Sequence, residues 1–235
     1  MKPQALAFDL DGTLWSCDDV IKRAEGALYA WLKRHHPLIT EAYDREAMRV
    51  VRRDLARRHP ELAADVTALR RASLEWHARE AGYDPGLAET GLAVFLAERH
   101  QVTPYADARP ALERLAGAFP LVALTNGNAD VRQTELGDLF HHFLTAADVG
   151  AAKPDPALFH AACRDMGVQP WDMVHIGDDP VRDIHAAHHF GARTVWINRE
   201  GGEWPADVRR AHHEIVSLAE LPEALGLEAG DGGAR

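Results

Sequence analysis

Two carboxylates, Asp9 and Asp11, directly follow an apolar run near the beginning of the chain, with one residue between them. Charge at the end of a buried strand costs free energy unless a partner compensates it, so this pair needs a chemical reason. Asp178 also follows an apolar run, as do Thr125 and, after a short loop, Lys153. Together these residues offer acids, a hydroxyl group and an amine, which suits the binding of a cation and an anionic substrate.

The apolar runs before these residues predict the strands that position them. We expect strands at residues 4–9, 120–124, 143–145, 173–176 and 194–197. The segments between them predict helices at residues 109–115, 129–136, 156–166 and 181–190. This alternation predicts an α/β fold with a doubly wound, Rossmann-like parallel sheet. Ligands bind at the carboxyl ends of the strands in such a sheet, so the polar residues should meet there.

The segment after the first strand has a different pattern, because apolar residues recur with helical spacing over residues 15–100. We therefore expect residues 1–14 and 101–227 to form the α/β core. Residues 15–100 should form an inserted, all-helical domain. Residues 228–235 are rich in glycine, and we expect them to be a disordered tail.

Acids that crowd at one sheet edge repel one another unless a cation joins them. Mg²⁺ binds carboxylate and carbonyl oxygens, so we expect a Mg²⁺ cofactor at this edge. The chain has 14 histidines, but none stands in a HExxH-type pattern, and we expect no histidine metal site. Cys17 and Cys163 are far apart in the sequence and are expected to be free thiols.

The composition narrows the class of partner. The chain of 235 residues has a formal net charge of −10, which argues against general nucleic-acid binding. No apolar run is long enough to span a membrane, and the first residues lack the pattern of a signal peptide. We expect a cytoplasmic protein with a small-molecule partner, no nucleic acid and no membrane. The oligomeric state is left open.

The four motifs together resemble those of the haloacid dehalogenase superfamily of phosphohydrolases. They stand in family order and each follows a predicted strand: "DLDGT" at 9–13, "LTNG" at 124–127, "KP" at 153–154 and "GDDPVRD" at 177–183. Taken alone, three of these motifs are typical of a turn, a loop or a helix cap, and "KP" alone indicates nothing. Their joint occurrence supports the resemblance, which implies that the helical insertion is a mobile cap.

The resemblance implies a role for each acid. Asp9 would be the nucleophile that attacks phosphorus and forms an aspartyl phosphate. Asp11 would protonate the leaving oxygen and then activate water. Asp9, Asp178 and the backbone carbonyl of Asp11 would hold Mg²⁺. Asp183 would support the metal site from behind these ligands, and Asp179 could either bind the metal or support it.

The resemblance also implies how the substrate is held. Thr125 and Asn126 would bind its phosphoryl group, and Lys153 would neutralise the charge that develops there. Within the superfamily the chain looks most like bacterial phosphatases of the flavin pathway, which act on flavin mononucleotide and 5-amino-6-(5-phosphoribitylamino)uracil. The supporting stretches are "PLVALTNGNAD" at 120–130, "LGDLFHHFLTA" at 136–146, "HIGDD" at 175–179 and "DVTALRRAS" at 65–73.

Two residues are candidates for substrate contacts outside these motifs. Arg70, in the last of the four stretches, could meet the polar edge of a substrate from the cap. Trp15 lies at the expected entry into the cap and is equally suited to packing and to substrate contact.

Three other functions share this fold. A dehalogenase resembles the chain at the nucleophile but lacks the second motif acid, whereas Asp11 is present here. A phosphoryl-transferring mutase would need a cap that excludes water. A non-catalytic regulator is expected to have lost Asp9 or Lys153, and both are present.

Overall fold

The structure is a computed structural model that describes residues 2–227, so the tail expected at residues 228–235 lies outside the described part. Its sheet has six strands, all paired in parallel, in the order β3-β2-β1-β4-β5-β6. The strands are β1 (Ala5–Phe8), β2 (Leu121–Thr125), β3 (His142–Thr145), β4 (Met173–Gly177), β5 (Arg193–Ile197) and β6 (His213–Ile215). The predicted doubly wound α/β class is confirmed.

The position of β1 determines where a ligand site can form. The chain builds β2 and β3 on one side of β1 and then crosses over to build β4 and β5 on the other side. The neighbouring strands β1 and β4 therefore form the topological switch point, where open α/β sheets bind ligands. Phe8 of β1 pairs with Ile176 of β4, so the residues that follow both strands leave the sheet at the same level.

The chain divides into two compact units. The helical unit comprises Cys17–Val102 and Gly127–Asp130. Its helices are α1 (Cys17–His35), α2 (Pro37–Ala42), α3 (Arg45–Arg58), α4 (Val66–Glu80) and α5 (Leu87–Arg99). Asp44 and Asp65 accept backbone hydrogen bonds at the beginnings of α3 and α4, which satisfies amides that a helix leaves free. Its buried core includes Leu28, Leu32, Leu74, Leu92 and Phe95.

The α/β unit comprises the remaining described residues: 2–16, 103–126 and 131–227. Its helices are α6 (Ala108–Ala116), α7 (Ala146–Val149), α8 (Ala157–Met166), α9 (Ala186–Phe190) and α10 (Leu221–Ala224). One face of the sheet packs on α8 and α9, with Val122, Phe159, Met173 and Ala187 fully buried between them. Within the described chain, no helix is long and apolar enough to cross a membrane.

Two helix predictions need correction. The helix predicted at residues 129–136 is absent, and short 3-10 turns form at Val131–Gln133 and Gly137–Leu139. The Thr134 hydroxyl donates to the Val131 carbonyl at 2.7 Å and accepts from the Leu136 amide, which competes with α-helical hydrogen bonds. The helix predicted at 181–190 begins with a π-helical turn, Pro180–His185, before α9. Such turns are frequent at functional sites.

An ion-pair network fixes the motif that follows β1. Arg199, after β5, donates to the Thr13 carbonyl from Nε at 3.3 Å and from Nη2 at 3.1 Å. The same guanidinium forms two hydrogen bonds with Asp107, at 3.0 and 3.1 Å. Asp107 also accepts from the Ser217 hydroxyl and the Leu218 amide. The carboxylate therefore connects three separate segments of the α/β unit.

We expect Asp107→Asn to destabilise the α/β unit by about 2–3 kcal/mol, because it weakens charge-assisted hydrogen bonds and leaves the charge of Arg199 without its carboxylate. The measurement is urea unfolding of the full chain followed by circular dichroism. Asp54→Asn is the control, since Asp54 pairs with two exposed arginines on the surface of α3 and should leave the midpoint nearly unchanged. Equal small shifts for both variants would contradict the importance of this network.

Candidate active site

Lys153 is the centre of a buried polar cluster at the carboxyl ends of the strands. Its ammonium group donates to Asp9 Oδ1 at 2.7 Å, to Asp183 Oδ1 at 2.6 Å and to the Leu124 carbonyl at 2.9 Å. These three acceptors use all three of its protons. Burial alone would lower the pKa of Lys153, but the attraction of Asp183 and Asp9 outweighs it and the pKa is raised. The lysine is therefore a permanent positive charge at this edge.

The backbone of Lys153 is held by Asn126, which follows β2. The Asn126 amide nitrogen donates to the Lys153 carbonyl at 2.8 Å, and its amide oxygen accepts from the Lys153 amide at 2.7 Å. Thr125, the last residue of β2, is buried beside this loop. The structure thus gives Asn126 the task of positioning the lysine, and contact of Thr125 or Asn126 with a phosphoryl group stays a prediction.

Asp183 receives more hydrogen bonds than any other carboxylate of the cluster. Besides Lys153, the His175 ring donates to Oδ1 at 3.0 Å and the Asp179 amide donates to Oδ2 at 3.1 Å. Burial alone would raise the pKa of Asp183, but Lys153 and His175 lower it, so the group is ionised. Burial lowers the pKa of His175, and its Nε2 must carry the proton because an ionised carboxylate can only accept.

Asp9 and Asp178 are the acids of this cluster whose ionised form the surroundings disfavour. Burial raises the pKa of Asp9, and repulsion by Asp183 and Asp178 raises it further. The attraction of Lys153 lowers this pKa but does not outweigh the other effects. Burial raises the pKa of Asp178 to about 7, and Asp183 contributes by repulsion. The Thr13 hydroxyl lies 3.5 Å from Asp9 Oδ2 and 3.3 Å from Asp178 Oδ1, and its one proton can serve only one of them.

This arrangement fits a hard divalent cation. Carboxylate oxygens of Asp9, Asp178 and Asp183 lie within 4.8 Å of one another, and one lysine opposes the three acids. A cation would compensate the charge that raises the pKa of Asp9 and Asp178. Oxygen ligands of this type are those that Mg²⁺ prefers.

Two glycines make room for the acids. A Cβ atom on Gly12 would lie 2.3 Å from Asp178 Oδ2, and Gly12 also has a φ of +86°. A Cβ atom on Gly177 would lie 2.4 Å from Asp183 Cγ. The backbone after β1 and β4 can therefore approach the carboxylates only where no side chain is present.

The other predicted acids have different surroundings. Asp11 Oδ1 accepts from the Trp15 indole at 2.9 Å, and Trp15 is fully buried in the α/β unit. Asp179 is the N-cap of the π-helical turn, where its Oδ1 accepts hydrogen bonds from the Val181 and Arg182 amides at 2.8 Å each.

Arg70 lies in α4, is 8% exposed and places its guanidinium 3.6 Å from the Phe95 ring centroid. Substrate contact by Trp15 or Arg70 stays a prediction.

Sequence reasoning missed His175 and Arg199 as parts of this site. His175 is a polar residue in an otherwise apolar strand, directly upstream of Ile176-Gly177-Asp178, and that position is the signal that could have found it. Arg199 has no such signal, because its partners Thr13 and Asp107 are distant in the sequence.

Comparison with known proteins now decides the family. The model of the haloacid dehalogenase-like hydrolases matches residues 3–191 of the chain. The chain belongs to this hydrolase family. This hydrolase is 32% identical over 229 residues to the 5-amino-6-(5-phospho-D-ribitylamino)uracil phosphatase YigB of Escherichia coli. The alignment covers 94% of the chain and 95% of the relative.

Other relatives of the hydrolase have a different activity in their names. It is 32% identical to (S)-2-haloacid dehalogenase 2 of Pseudomonas sp. strain CBS-3, over 55% of the chain and 59% of that protein. A solved structure described as a 2-haloacid dehalogenase from Pseudomonas syringae pv. Tomato DC3000 superposes with a TM-score of 0.90 at 40% identity. That match covers 95% of the chain and 98% of the solved one.

We expect Gly177→Ala to destabilise the hydrolase by about 1–3 kcal/mol, because the new methyl group would overlap Asp183 in a tightly packed site. The matched control is Gly117→Ala in the same unit. Gly117 has a φ of −69°, and a Cβ atom there would have its nearest neighbour at 3.9 Å. The control should leave stability equal or slightly higher. Thermal unfolding measures both variants, and identical melting temperatures would show that Asp183 moves without cost.

Proposed function

We propose that this hydrolase is a Mg²⁺-dependent phosphatase that cleaves small phosphate monoesters through an aspartyl-phosphate intermediate. The observation that carries the proposal is the charge of the site: three carboxylates lie close together at the switch point of the sheet, and one lysine pairs with two of them. A dianionic phosphoryl group could approach Asp9 only where positive charge offsets this repulsion. When bound, Mg²⁺ would be held by Asp9, Asp178 and the Asp11 backbone carbonyl, and would supply that charge.

The first half-reaction would transfer the phosphoryl group to the protein. A carboxylate oxygen of Asp9 attacks phosphorus, the new P–O bond forms, and the P–O bond to the ester oxygen breaks. Lys153 holds Asp9 Oδ1 at 2.7 Å and so fixes the orientation of the nucleophile. Asp11 gives its proton to the departing alkoxide, which is a strong base and needs one. The Trp15 indole, bonded to Asp11 Oδ1, orients this acid.

The second half-reaction would return the protein to its starting state. Asp11, now ionised, accepts a proton from water as the water oxygen attacks phosphorus. The bond between phosphorus and the Asp9 oxygen breaks, and inorganic phosphate leaves. Lys153 stabilises the charge on the transferring group in both halves, because it cannot lose its proton at neutral pH.

Dehalogenation is the second candidate, and the dehalogenase names of two relatives favour it. A halide is a weak base that leaves without a proton, so carboxylate attack on a carbon–halogen bond needs no acid in the position of Asp11. A haloacid has one negative charge and a phosphoryl group has two, so dehalogenation needs less compensating charge from a cation than phosphoryl transfer does. Asp11 and the crowded acids Asp178 and Asp183 therefore favour the phosphatase.

The substrate proposal is narrower. The match to the Escherichia coli phosphatase extends over nearly the whole of both chains, including the helical unit. We propose flavin mononucleotide or 5-amino-6-(5-phospho-D-ribitylamino)uracil as substrates in the cytoplasm, alongside smaller esters. The helical unit would then have the role of the cap that selects the substrate.

We expect Asp9→Asn to lower phosphate release from p-nitrophenyl phosphate by at least about 10⁴-fold, because an amide is not an anionic nucleophile. Asp11→Asn should lower it by about 10²–10⁴-fold, the usual contribution of a general acid–base group. The exposed Asp138→Asn is the control and should retain full activity. Chloride release from 2-chloropropanoate by the wild type, without phosphate release from any ester, would support the dehalogenase in its place.

We expect removal of divalent cations with a chelator to abolish phosphate release and added Mg²⁺ to restore it. Calorimetry should show Mg²⁺ binding to the wild type and at least about tenfold weaker binding to Asp178→Asn. Substitution of a residue that only supports a metal ligand already weakens metal binding by about 10–100-fold, so the loss of a ligand carboxylate should cost at least as much. Circular dichroism of the variant checks that the fold is intact. Full turnover after exhaustive chelation would refute the metal-dependent mechanism.

A further inference from the structure

The helical unit contains a small cavity between α1, α3 and α4. Its lining includes four arginines, Arg45, Arg49, Arg52 and Arg70, but a single acid, Glu25. All of these residues belong to the helical unit, so the cavity is complete within it. Its volume is small, about 20 Å³ measured for the centres of water-sized groups, so it suits a compact ligand only.

Glu25 cannot compensate the positive charge around it. Arg49 Nη2 lies 2.6 Å from Glu25 Oε2 and Arg52 Nη2 lies 2.9 Å from Oε1. Burial alone would raise the pKa of Glu25, but hydrogen bonds from Arg49 and attraction by Arg52 lower it, so the acid is ionised. Arg70 Nη2 is 3.7 Å from Oε1, which is longer than a hydrogen bond. Within the lining, one negative charge thus faces four positive ones. Outside the lining, Glu46 pairs with Arg49 at 3.3 Å, which leaves Arg45 and Arg70 as the lining arginines without a carboxylate of the described chain at hydrogen-bond distance.

Two guanidinium groups in this lining have buried N–H groups that lack an acceptor. Arg70 is 8% exposed, and its Nε has no hydrogen-bond partner. Arg45 donates from Nη2 to the Lys22 carbonyl at 3.0 Å, but its Nε is also buried and without an acceptor. Nearly all buried donors in a folded protein are hydrogen-bonded, and each exception needs an explanation.

A purely structural ion network does not explain these observations. A network that served only to hold α1, α3 and α4 together would be expected to satisfy its donors, because an unpaired polar group is costly in a low-dielectric interior. Burial and repulsion by Arg52 lower the pKa of Arg70 to about 9, so the guanidinium remains charged. Its contacts are the Phe95 ring at 3.6 Å and the distant Glu25 carboxylate at 3.7 Å, and neither of them accepts from Nε. Apolar side chains of Leu28, Met48 and Leu74 also line the cavity, beside Tyr29 and Ser73, and they strengthen any charge interaction inside it.

We propose that this cavity is a binding site for a compact oxyanion, with Arg45 and Arg70 as donors through their Nε atoms. A carboxylate, phosphate or sulfate group offers the planar or tetrahedral oxygen pairs that guanidinium groups bind. The ligand is a free oxyanion taken up from solution. Binding itself does not depend on the proposed phosphatase function.

The test of binding is a titration of the full-length protein with sodium sulfate at constant ionic strength, followed by the NMR signals of the arginine Nε–H groups. Arg45→Lys and Arg70→Lys assign the two signals and keep the charge. We expect saturable shifts of both wild-type signals. In Arg70→Lys the Arg45 signal should respond with at least about tenfold lower affinity.

Arg57→Lys is the control, because Arg57 is an exposed arginine of α3 paired with Asp54. It should leave the affinity of the cavity unchanged. Signals of Arg45 and Arg70 that do not saturate, or equal affinities in the wild type and Arg70→Lys, would overturn the proposal. Apart from the substituted residues, the spectra of all variants should match that of the wild type, which checks that the fold is intact.

Discussion

The contact between the Lys153 ammonium group and the carboxylates of Asp9 and Asp183 is the interaction on which the site depends. A buried lysine is tolerated only with well-placed acceptors, and a buried aspartate only with donors. Each therefore requires the other, although the residues come from three distant parts of the chain. The parallel sheet makes this possible, because the ends of β1 and β4 lie side by side and the loop after β2 is held to the lysine by Asn126.

Three carboxylates within reach of one another are unfavourable for stability, and the surrounding structure shows how the chain tolerates them. Asp183 gains hydrogen bonds from His175 and the Asp179 backbone, whereas Asp9 and Asp178 share a single hydroxyl donor, Thr13. Glycines at 12 and 177 let the backbone approach the carboxylates so closely that a Cβ atom would overlap them. Negative charge is therefore poorly compensated at Asp9 and Asp178, where a cation would bind, whereas the charge of Asp183 is well compensated by hydrogen bonds.

The sequence predicted the class of fold and all five strands that carry or flank the motifs, because buried parallel strands appear as apolar runs that end abruptly. It failed for β6, a short strand with two exposed residues, and for residues 129–136, where Thr134 redirects the backbone hydrogen bonds. It placed the acids at the correct strand ends. It could not show that Asn126 positions the lysine, nor that Arg199 holds the Thr13 carbonyl, because such contacts depend on packing between distant segments.

The Tyr105 amide donates to the Leu14 carbonyl at 2.9 Å, and Trp15 forms a bridge with Pro104. The chain therefore leaves the α/β unit and re-enters it at adjacent points, so the intervening residues form a closed loop anchored at its base. The entropy of closing such a loop grows only with the logarithm of its length, about 0.6 kcal/mol for each doubling. That loop can therefore be lengthened, shortened or exchanged with little thermodynamic consequence for the sheet that holds the acids.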